Sequence, residues 1–332
     1  MKERRRQRAK KQPSVKVDRG ILNDLPPVDA WEKTADVQSA SPAEVKKVKV
    51  VTSDVDEIEA EETKAKASAL VESQRKSVDC LTFIRKRVED SAFPFNDAAK
   101  SILDKGYFVY DNFLSSNEDE AFGDALLDDM LQECSDMLSN DKLERDITRL
   151  GDGEYLTKIV GGEAYADCPR LTEYVVSLTR HLPPLFNKEL DVLKDDNMSR
   201  LDGTASMGTL RVYNRQTRLS EESLLKKDAE SDESNNQNKP FGVICGDSEG
   251  TENDTRRLTA MLFLSSKDWD AKSCGGGVTM EKGEETVDAI RDRIILLRSD
   301  TCSYRQEPWI GDDKEGLGLA SCAIVHFVKE TK

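Results

Sequence analysis

The run RRLTAMLFLS at residues 256–265 decides the fold of this 332-residue chain. Two arginines open it, and the apolar residues after them show no helical period, which is typical of a buried β-strand. Further strand-like runs, bounded by glycine or charged turn residues, lie at 278–281, 293–298, 302–306 and 320–328. This succession predicts an antiparallel sheet packed on itself. The glycines at 275–277 are expected to form a hairpin turn.

Helical patterns precede these strands. One helix is expected to end at Gly106, a second to cover 117–139 and a third to begin at Pro169. Each carries apolar residues at the spacing of a buried helical stripe. Single strands are expected at 107–110 and 209–213. Helices followed by a run of strands predict an α+β fold in which the helices support one sheet.

The rest of the chain is polar. Residues 1–91 have few aromatic side chains and are expected to form a disordered tail, in which 55–76 could be a lone helix. The basic tract 1–12 is either a solvated terminus or an arm for nuclear localisation or nucleic-acid contact. A second polar segment, 220–255, is expected to be a flexible insertion. The folded domain is therefore expected to span 92–332.

Charge and cysteine usage exclude several classes of protein. A net charge of −15 disfavours nucleic acid and acidic membranes as partners of the whole chain. None of the seven cysteines forms a CxxC pair, which favours reduced thiols. No apolar run reaches the ~20 residues of a membrane helix, and no secretory signal is recognised. The chain is expected to be soluble and intracellular, either nuclear or cytoplasmic.

The order of short motifs resembles one known superfamily. In order, the motifs are Tyr213 with Arg218, Arg256-Arg257-Leu258-Thr259, Asp268-Trp269, Gly275-Gly276, Ser299-Asp300 and the last strand. This order resembles the iron(II)/2-oxoglutarate-dependent oxygenases of prolyl 4-hydroxylase-like type. The resemblance implies a double-stranded β-helix, or jelly roll, supported by N-terminal helices.

The same resemblance implies a ferrous ion held by two histidines and one carboxylate, which leave three sites for 2-oxoglutarate and oxygen. By the family's spacing the first ligand falls at Glu222, or at Cys245 and Asp247 if the insertion shifts the register. The distal ligand falls near Tyr304. The two histidines of the chain match none of these positions. The residues therefore indicate a divergent protein that lacks the usual metal ligands.

The co-substrate positions are also altered. Tyr213, Arg218 and Arg257 are candidates for binding 2-oxoglutarate or another anion at the mouth of the sheets. The arginine that binds the far carboxylate of 2-oxoglutarate in the family falls near Ala320, which has no charge. Iron(II), 2-oxoglutarate and ascorbate are expected as cofactors only if the family's activity is kept.

Three functions remain open. The first is a pseudo-oxygenase in which the jelly roll is a binding or regulatory module. The second is an active dioxygenase that hydroxylates a protein side chain through an atypical metal site. The third is an interaction scaffold that works through 1–12 and 220–255. A protein partner or substrate is expected, with no membrane and with nucleic acid only through 1–12.

Overall fold

The computed structural model contains two antiparallel β-sheets and a layer of helices. It describes residues 80–89, 93–115, 120–146, 153–159, 161–195, 198–215, 217, 244–246, 254–280, 285–310 and 319–330. Helices cover one face of the larger sheet, and the smaller sheet packs against the other face. The α+β class predicted from the sequence is confirmed.

Helices and strands follow one another along the chain. The helices are α1 (80–89), α2 (Phe95–Lys105), α3 (Glu120–Ser139), α4 (Gly161–Asp167), α5 (Pro169–Leu193) and α6 (Ala271–Cys274). The strands are β1 (Tyr107–Tyr110), β2 (Glu144–Arg145), β3 (Glu154–Ile159), β4 (Leu201–Asn214), β5 (Ile244–Gly246), β6 (Arg256–Ser265), β7 (Val278–Met280), β8 (Glu285–Val287), β9 (Ile294–Arg298), β10 (Ser303–Gln306) and β11 (Leu319–Lys329). Each strand-like run predicted from residue 256 onward is a strand.

The larger sheet has the strand order β1-β9-β6-β11-β4-β3-β2, and the smaller sheet has the order β5-β10-β7-β8. Neighbouring strands are antiparallel throughout. In the centre, β11 lies between β6 and β4. Its Ala320 lies opposite Ser265 of β6 and Tyr213 of β4. Because paired residues point to the same face, these three side chains form one row across the sheet.

Alternation along β6 divides its side chains between two cores. Leu258, Ala260 and Leu262 belong to the core beneath the helices, which α2, α3 and α5 line. Met261 and Phe263 belong to a second core, which also contains residues of the smaller sheet. A strand that is buried on both faces reads as a continuous apolar run. This is why residues 258–264 show no polar alternation.

Helix α5 packs on the outer face of β4. It begins at Pro169, whose missing N–H costs nothing in the first turn. Leu171, Tyr174 and Leu178 form its fully buried stripe. The third predicted helix is therefore present at its predicted start. No helix in the part of the chain that the structure describes is long and apolar enough to span a membrane.

Order begins earlier than the sequence predicted. Helix α1 lies in the segment assigned to a disordered tail, yet its Cys80, Ile84 and Val88 are at most 1% exposed. These side chains belong to the core beneath the helices. The predicted domain start at residue 92 is therefore wrong. The basic tract 1–12 and the helix predicted at 55–76 lie outside the described residues.

The predicted flexible insertion also contains ordered backbone. Strand β5 lies within 220–255 and pairs with β10 of the smaller sheet. Three residues give too short a run to be recognised by periodicity. Their strand conformation depends on hydrogen bonds to β10, which the sequence of the insertion does not encode locally.

Candidate functional site

One end of the space between the sheets contains the positions that the resemblance gives to the co-substrate. Tyr213, Ala320 and Ser265, which we call the Tyr213 row, lie side by side on β4, β11 and β6. Their exposed fractions are 1%, 0% and 1%. The row therefore presents a phenol, a methyl group and a hydroxyl group, none of which carries a formal charge at neutral pH.

Trp309 packs against this row. Its ring is stacked on Tyr213, with centroids 5.9 Å apart and an interplanar angle of 17°. It meets Phe263 and Trp269 edge-on at 6.4 Å and 5.8 Å. Offset stacks and edge-to-face contacts are the favourable arrangements for aromatic pairs. These four residues, the aromatic cluster, close this end of the space with packed apolar surface, and only 2% of Trp309 is exposed.

Gly276 allows Trp309 to lie so close. A Cβ atom at this position would lie 2.1 Å from Cε3 of the indole, a distance that real Cβ atoms do not show. The φ angle of Gly276 is +79°, which a residue with a side chain adopts only with strain. Its N–H donates to the carbonyl of Pro308 at 3.1 Å. The glycines at 275–277 end α6 and admit Trp309, so the predicted hairpin turn is wrong.

The polar side-chain atoms of the Tyr213 row and the aromatic cluster are neutral. The charged guanidinium of Arg291 donates to the main-chain carbonyl of Ser265. The hydroxyl of Tyr213 donates to the carbonyl of Ile310 at 3.0 Å. Ser265 Oγ and Trp269 Nε1 are buried and have no hydrogen-bond partner among the described residues. 2-Oxoglutarate carries two carboxylates, and burying a charged group without a charged partner is costly. The side chains of the Tyr213 row and the aromatic cluster therefore do not fit 2-oxoglutarate.

Two of the candidate metal ligands are neighbours. Tyr304 lies opposite Cys245 of β5 on one side and Met280 of β7 on the other. Its side chain is 5% exposed and belongs to the core between the sheets. Tyr304 is thus a buried phenol beside methionine, whereas the usual ligands of ferrous iron are imidazole and carboxylate. Glu222 and Asp247 lie outside the described residues, within which no group of three His, Cys, Asp or Glu could hold a metal ion.

Arg257 lies far from the Tyr213 row. It is near the start of β6, whereas the row is at the end of that strand. Ser265 lies eight residue steps after Arg257, which corresponds to about 26 Å at about 3.3 Å per residue. Nη1 of Arg257 donates to the carbonyls of Asp254 and Arg256 at 3.0 Å and 2.6 Å. The structure thus does not bring Arg257 and Tyr213 together, and Arg218 lies outside the described residues.

Both histidines make contacts away from the Tyr213 row. His326 lies opposite Thr259, and its Nδ1 is 2.8 Å from Thr259 Oγ1. Thr259 Oγ1 is also 2.9 Å from Ser299 Oγ. His181 on α5 is paired with Glu89 of α1 at 3.2 Å. Burial lowers the pKa of His181, and the carboxylate of Glu89 opposes this shift.

Comparison with known proteins gives no match by sequence. No protein-family model matches the chain, and no curated protein does. Solved structures do match it. The structural neighbours include prolyl hydroxylases. A Pseudomonas putida prolyl-4-hydroxylase aligns with a TM-score of 0.48 and 13% identity, over 71% of this chain and 100% of that one.

Two further neighbours are similar. A prolyl hydroxylase from Trichoplax adhaerens, solved with a hypoxia inducible factor peptide fragment, has a TM-score of 0.45 and 14% identity, over 74% of this chain and 96% of that one. A 2OG-Fe(II) oxygenase family oxidoreductase from Burkholderia pseudomallei has a TM-score of 0.38 and 10% identity, over 71% and 92%. These are members of the superfamily that the sequence resembles. At these sequence identities and TM-scores, no activity, ligand or residue role can be inferred for this chain from these neighbours.

Proposed function

We propose that this chain is a pseudo-oxygenase: a double-stranded β-helix of the prolyl 4-hydroxylase-like type that works as a binding or regulatory module without iron turnover. The close packing of the aromatic cluster is the main observation that supports this proposal. Trp309 stacks on Tyr213, which lies beside Ala320 on the neighbouring strand, and the resemblance gives both of these positions to the co-substrate. Protein interiors are close-packed, so a co-substrate would have to displace the indole.

The chemistry of the neighbouring positions supports the same proposal. Ala320 cannot pair with a carboxylate, and Tyr304 is buried in an apolar core. Both histidines make their contacts elsewhere, His181 with Glu89 and His326 with Thr259. A binding module derived from an oxygenase would keep the two sheets but have other residues at the positions that hold the metal and the co-substrate.

Thermal unfolding tests the proposal. The protein is purified without oxygen and heated with ferrous iron, with 2-oxoglutarate, with both and with neither. A ligand that binds only the folded state raises the free energy of unfolding by RT ln(1 + [L]/Kd). We expect the same midpoint in all four conditions. A higher midpoint that requires iron and 2-oxoglutarate together would overturn the proposal, and an active prolyl hydroxylase serves as the positive control.

The register between β5 and β10 favours one alternative. Cys245 and Tyr304 are direct partners, so a ligand set containing them has two members already side by side. With Asp247, and with Glu222 in place of one of them, they could form an atypical iron site that hydroxylates a protein side chain, with ascorbate keeping the iron reduced.

Succinate formation tests that alternative. Iron-dependent conversion of 2-oxoglutarate to succinate would establish it, provided that Asp247→Ala abolishes the signal and Asp129→Asn, an exposed change on α3, does not. A signal no higher than that of the metal-free protein rejects it.

A protein is the proposed partner, in the nucleus or the cytoplasm. The basic tract 1–12 and the acidic segment 220–255 are the proposed determinants of location and partner choice, and nucleic acid is proposed as a contact of 1–12 alone. Deletion of 1–12, or of the part 220–243 that leaves β5 in place, should change the cellular location or the set of captured proteins. If both deletions leave location and capture unchanged, these segments have no such role.

A further inference from the structure

The outer face of α3 is acidic. Four of its acidic residues are spaced by four or eight positions and form one row along the helix, which we call the acidic ridge: Glu120, Asp124, Asp128 and Asp136. Like charges four positions apart destabilise a helix, and α3 contains no lysine or arginine that would offset them. Cationic partners for the ridge must therefore come from other segments of the chain.

Two basic side chains from other segments lie on the ridge. Lys267, which follows β6, pairs with Asp124 at 2.8 Å. Arg291, which precedes β9, pairs with Asp128 at 2.7 Å. The middle of the ridge is therefore a surface on which the structure already shows bound cationic groups.

The two ends of the ridge differ from its middle. Glu120 and Asp136 are exposed, and no cation in the part of the chain that the structure describes forms an ion pair with either. Asp136 accepts a hydrogen bond from Gln132 at 2.9 Å, which leaves its charge in place. The last turn of α3 also has no basic residue, although the helix dipole favours a cation there. Both ends are therefore open to further basic side chains.

The chain itself contains a segment of matching charge. The tract 1–12 has seven basic residues and one acidic residue. The first described helix, α1, lies against α3, because Phe83 packs on Phe122 with ring centroids 4.7 Å apart. Residues 13–79 thus connect the tract to a point beside α3. A random coil of that length has a root-mean-square span of about 45 Å, whereas α3 is about 30 Å long.

We propose that the tract 1–12 docks on the acidic ridge of α3. The two segments belong to one chain, so the contact benefits from a high effective concentration and need not be strong in itself. The charges are exposed, so salt should release the tract. Docking would mask the tract from an outside partner, and this consequence rests on the proposed role of 1–12 in location and partner choice.

Carbodiimide crosslinking of the full chain tests the contact. The reagent joins an amine to a carboxylate only where the two meet, so Lys2, Lys10 or Lys11 should become linked to Glu120 or Asp136. The yield of these links should fall at least about tenfold at 1 M salt, where the Debye length is about 3 Å. Links from the tract to the acidic segment 220–255 alone, or links that persist at 1 M salt, would overturn the proposal.

Trypsin cleavage within 1–12 of the full chain measures how often the tract is released. Cleavage should be about threefold faster, or more, when Glu120→Gln and Asp136→Asn are combined, because each exposed ion pair contributes only modestly. Asp104→Asn combined with Glu330→Gln removes the same charge at exposed positions outside α3 and should match the wild type. Equal acceleration by both pairs would mean that the net charge of the chain alone attracts the tract, and the proposal would be wrong.

These results are independent of the location of the protein. If the tract docks but its deletion leaves location and captured proteins unchanged, the contact stands and its masking role is rejected. If deletion of 1–12 changes location but neither crosslinks nor protection are found, the role of the tract stands and its docking on α3 is rejected.

Discussion

The two ends of β6 differ in what holds the neighbouring strands together. At its C-terminal end the aromatic cluster packs ring on ring, and the buried polar atoms Ser265 Oγ and Trp269 Nε1 have no partner among the described residues. Towards its N-terminal end, Thr259 lies between His326 and Ser299 within hydrogen-bonding distance of both. The first end is specified by shape and the second by hydrogen bonds.

This difference bears directly on function. A binding site for a charged small molecule needs open volume and charged partners, whereas the side chains of the aromatic cluster and the Tyr213 row are closely packed and uncharged. Packed aromatic side chains respond to a change of volume, whereas hydrogen-bonded groups respond to the loss of a single polar atom. Substitutions at the two ends should therefore differ in size and kind.

Removing the indole should have the largest effect. Trp309→Ala deletes a side chain that is 2% exposed and contacts three other rings, so we expect a loss of about 3–5 kcal/mol in the free energy of unfolding. Urea denaturation of the full chain measures it. Ile310→Ala changes the next residue, whose side chain is 54% exposed, and should cost less than about 0.5 kcal/mol. Equal losses would show that the cluster is not a packing centre.

Filling the space that Gly276 leaves should have the next largest effect. Gly276→Ala places a methyl group where Trp309 now lies and strains a backbone with positive φ, so we expect a loss of about 2–3 kcal/mol. Gly203→Ala is the matched control, because the nearest atom to its added Cβ would be 3.7 Å away. A Gly276→Ala protein as stable as the wild type would mean that Trp309 moves aside readily, and the aromatic end would then have to be regarded as open.

The strands of the two sheets were predictable to different degrees. The run at 256–265 is apolar, long and bounded by charged residues, so its pattern alone predicts a strand buried on both faces. Strand β5 has three residues inside a polar segment, and only its pairing with β10 makes it a strand. α1 was missed because the surrounding tail is polar, although its own Phe83 and Ile84 are buried.

The candidate site shows the same limit. Family spacing predicted Tyr304 and Cys245 as positions of interest, and the register makes them partners. Trp309 was predictable as a packing residue and the glycines at 275–277 as a break. Their mutual contact was not predictable, because it requires two segments that lie about 30 residues apart in sequence to run side by side. The packing that closes this end therefore depends on tertiary structure and not on a local sequence pattern.

Breaking the hydrogen bonds at the other end of β6 should have an intermediate effect. Thr259→Val keeps the shape of the side chain but removes the hydroxyl that contacts His326 and Ser299, so we expect a loss of about 1–2 kcal/mol. Thr204→Val removes a hydroxyl that bonds to Asp202 at an exposed site and should have little effect. If Thr259→Val costs nothing, hydrogen bonds do not distinguish this end from the aromatic one.

The smallest effect should come from a polar change at the aromatic end. Tyr213→Phe keeps the ring that stacks on Trp309 and removes the hydroxyl that donates to the carbonyl of Ile310, so a loss of about 1 kcal/mol is expected. Denaturation of the single variants and of Tyr213→Phe combined with Trp309→Ala measures it. If shape specifies this end, the Tyr213 change should cost much less than the Trp309 change. A Tyr213→Phe loss as large as that of Trp309→Ala would mean that the hydroxyl, and not the stacked ring, holds the segment containing Trp309 against the larger sheet.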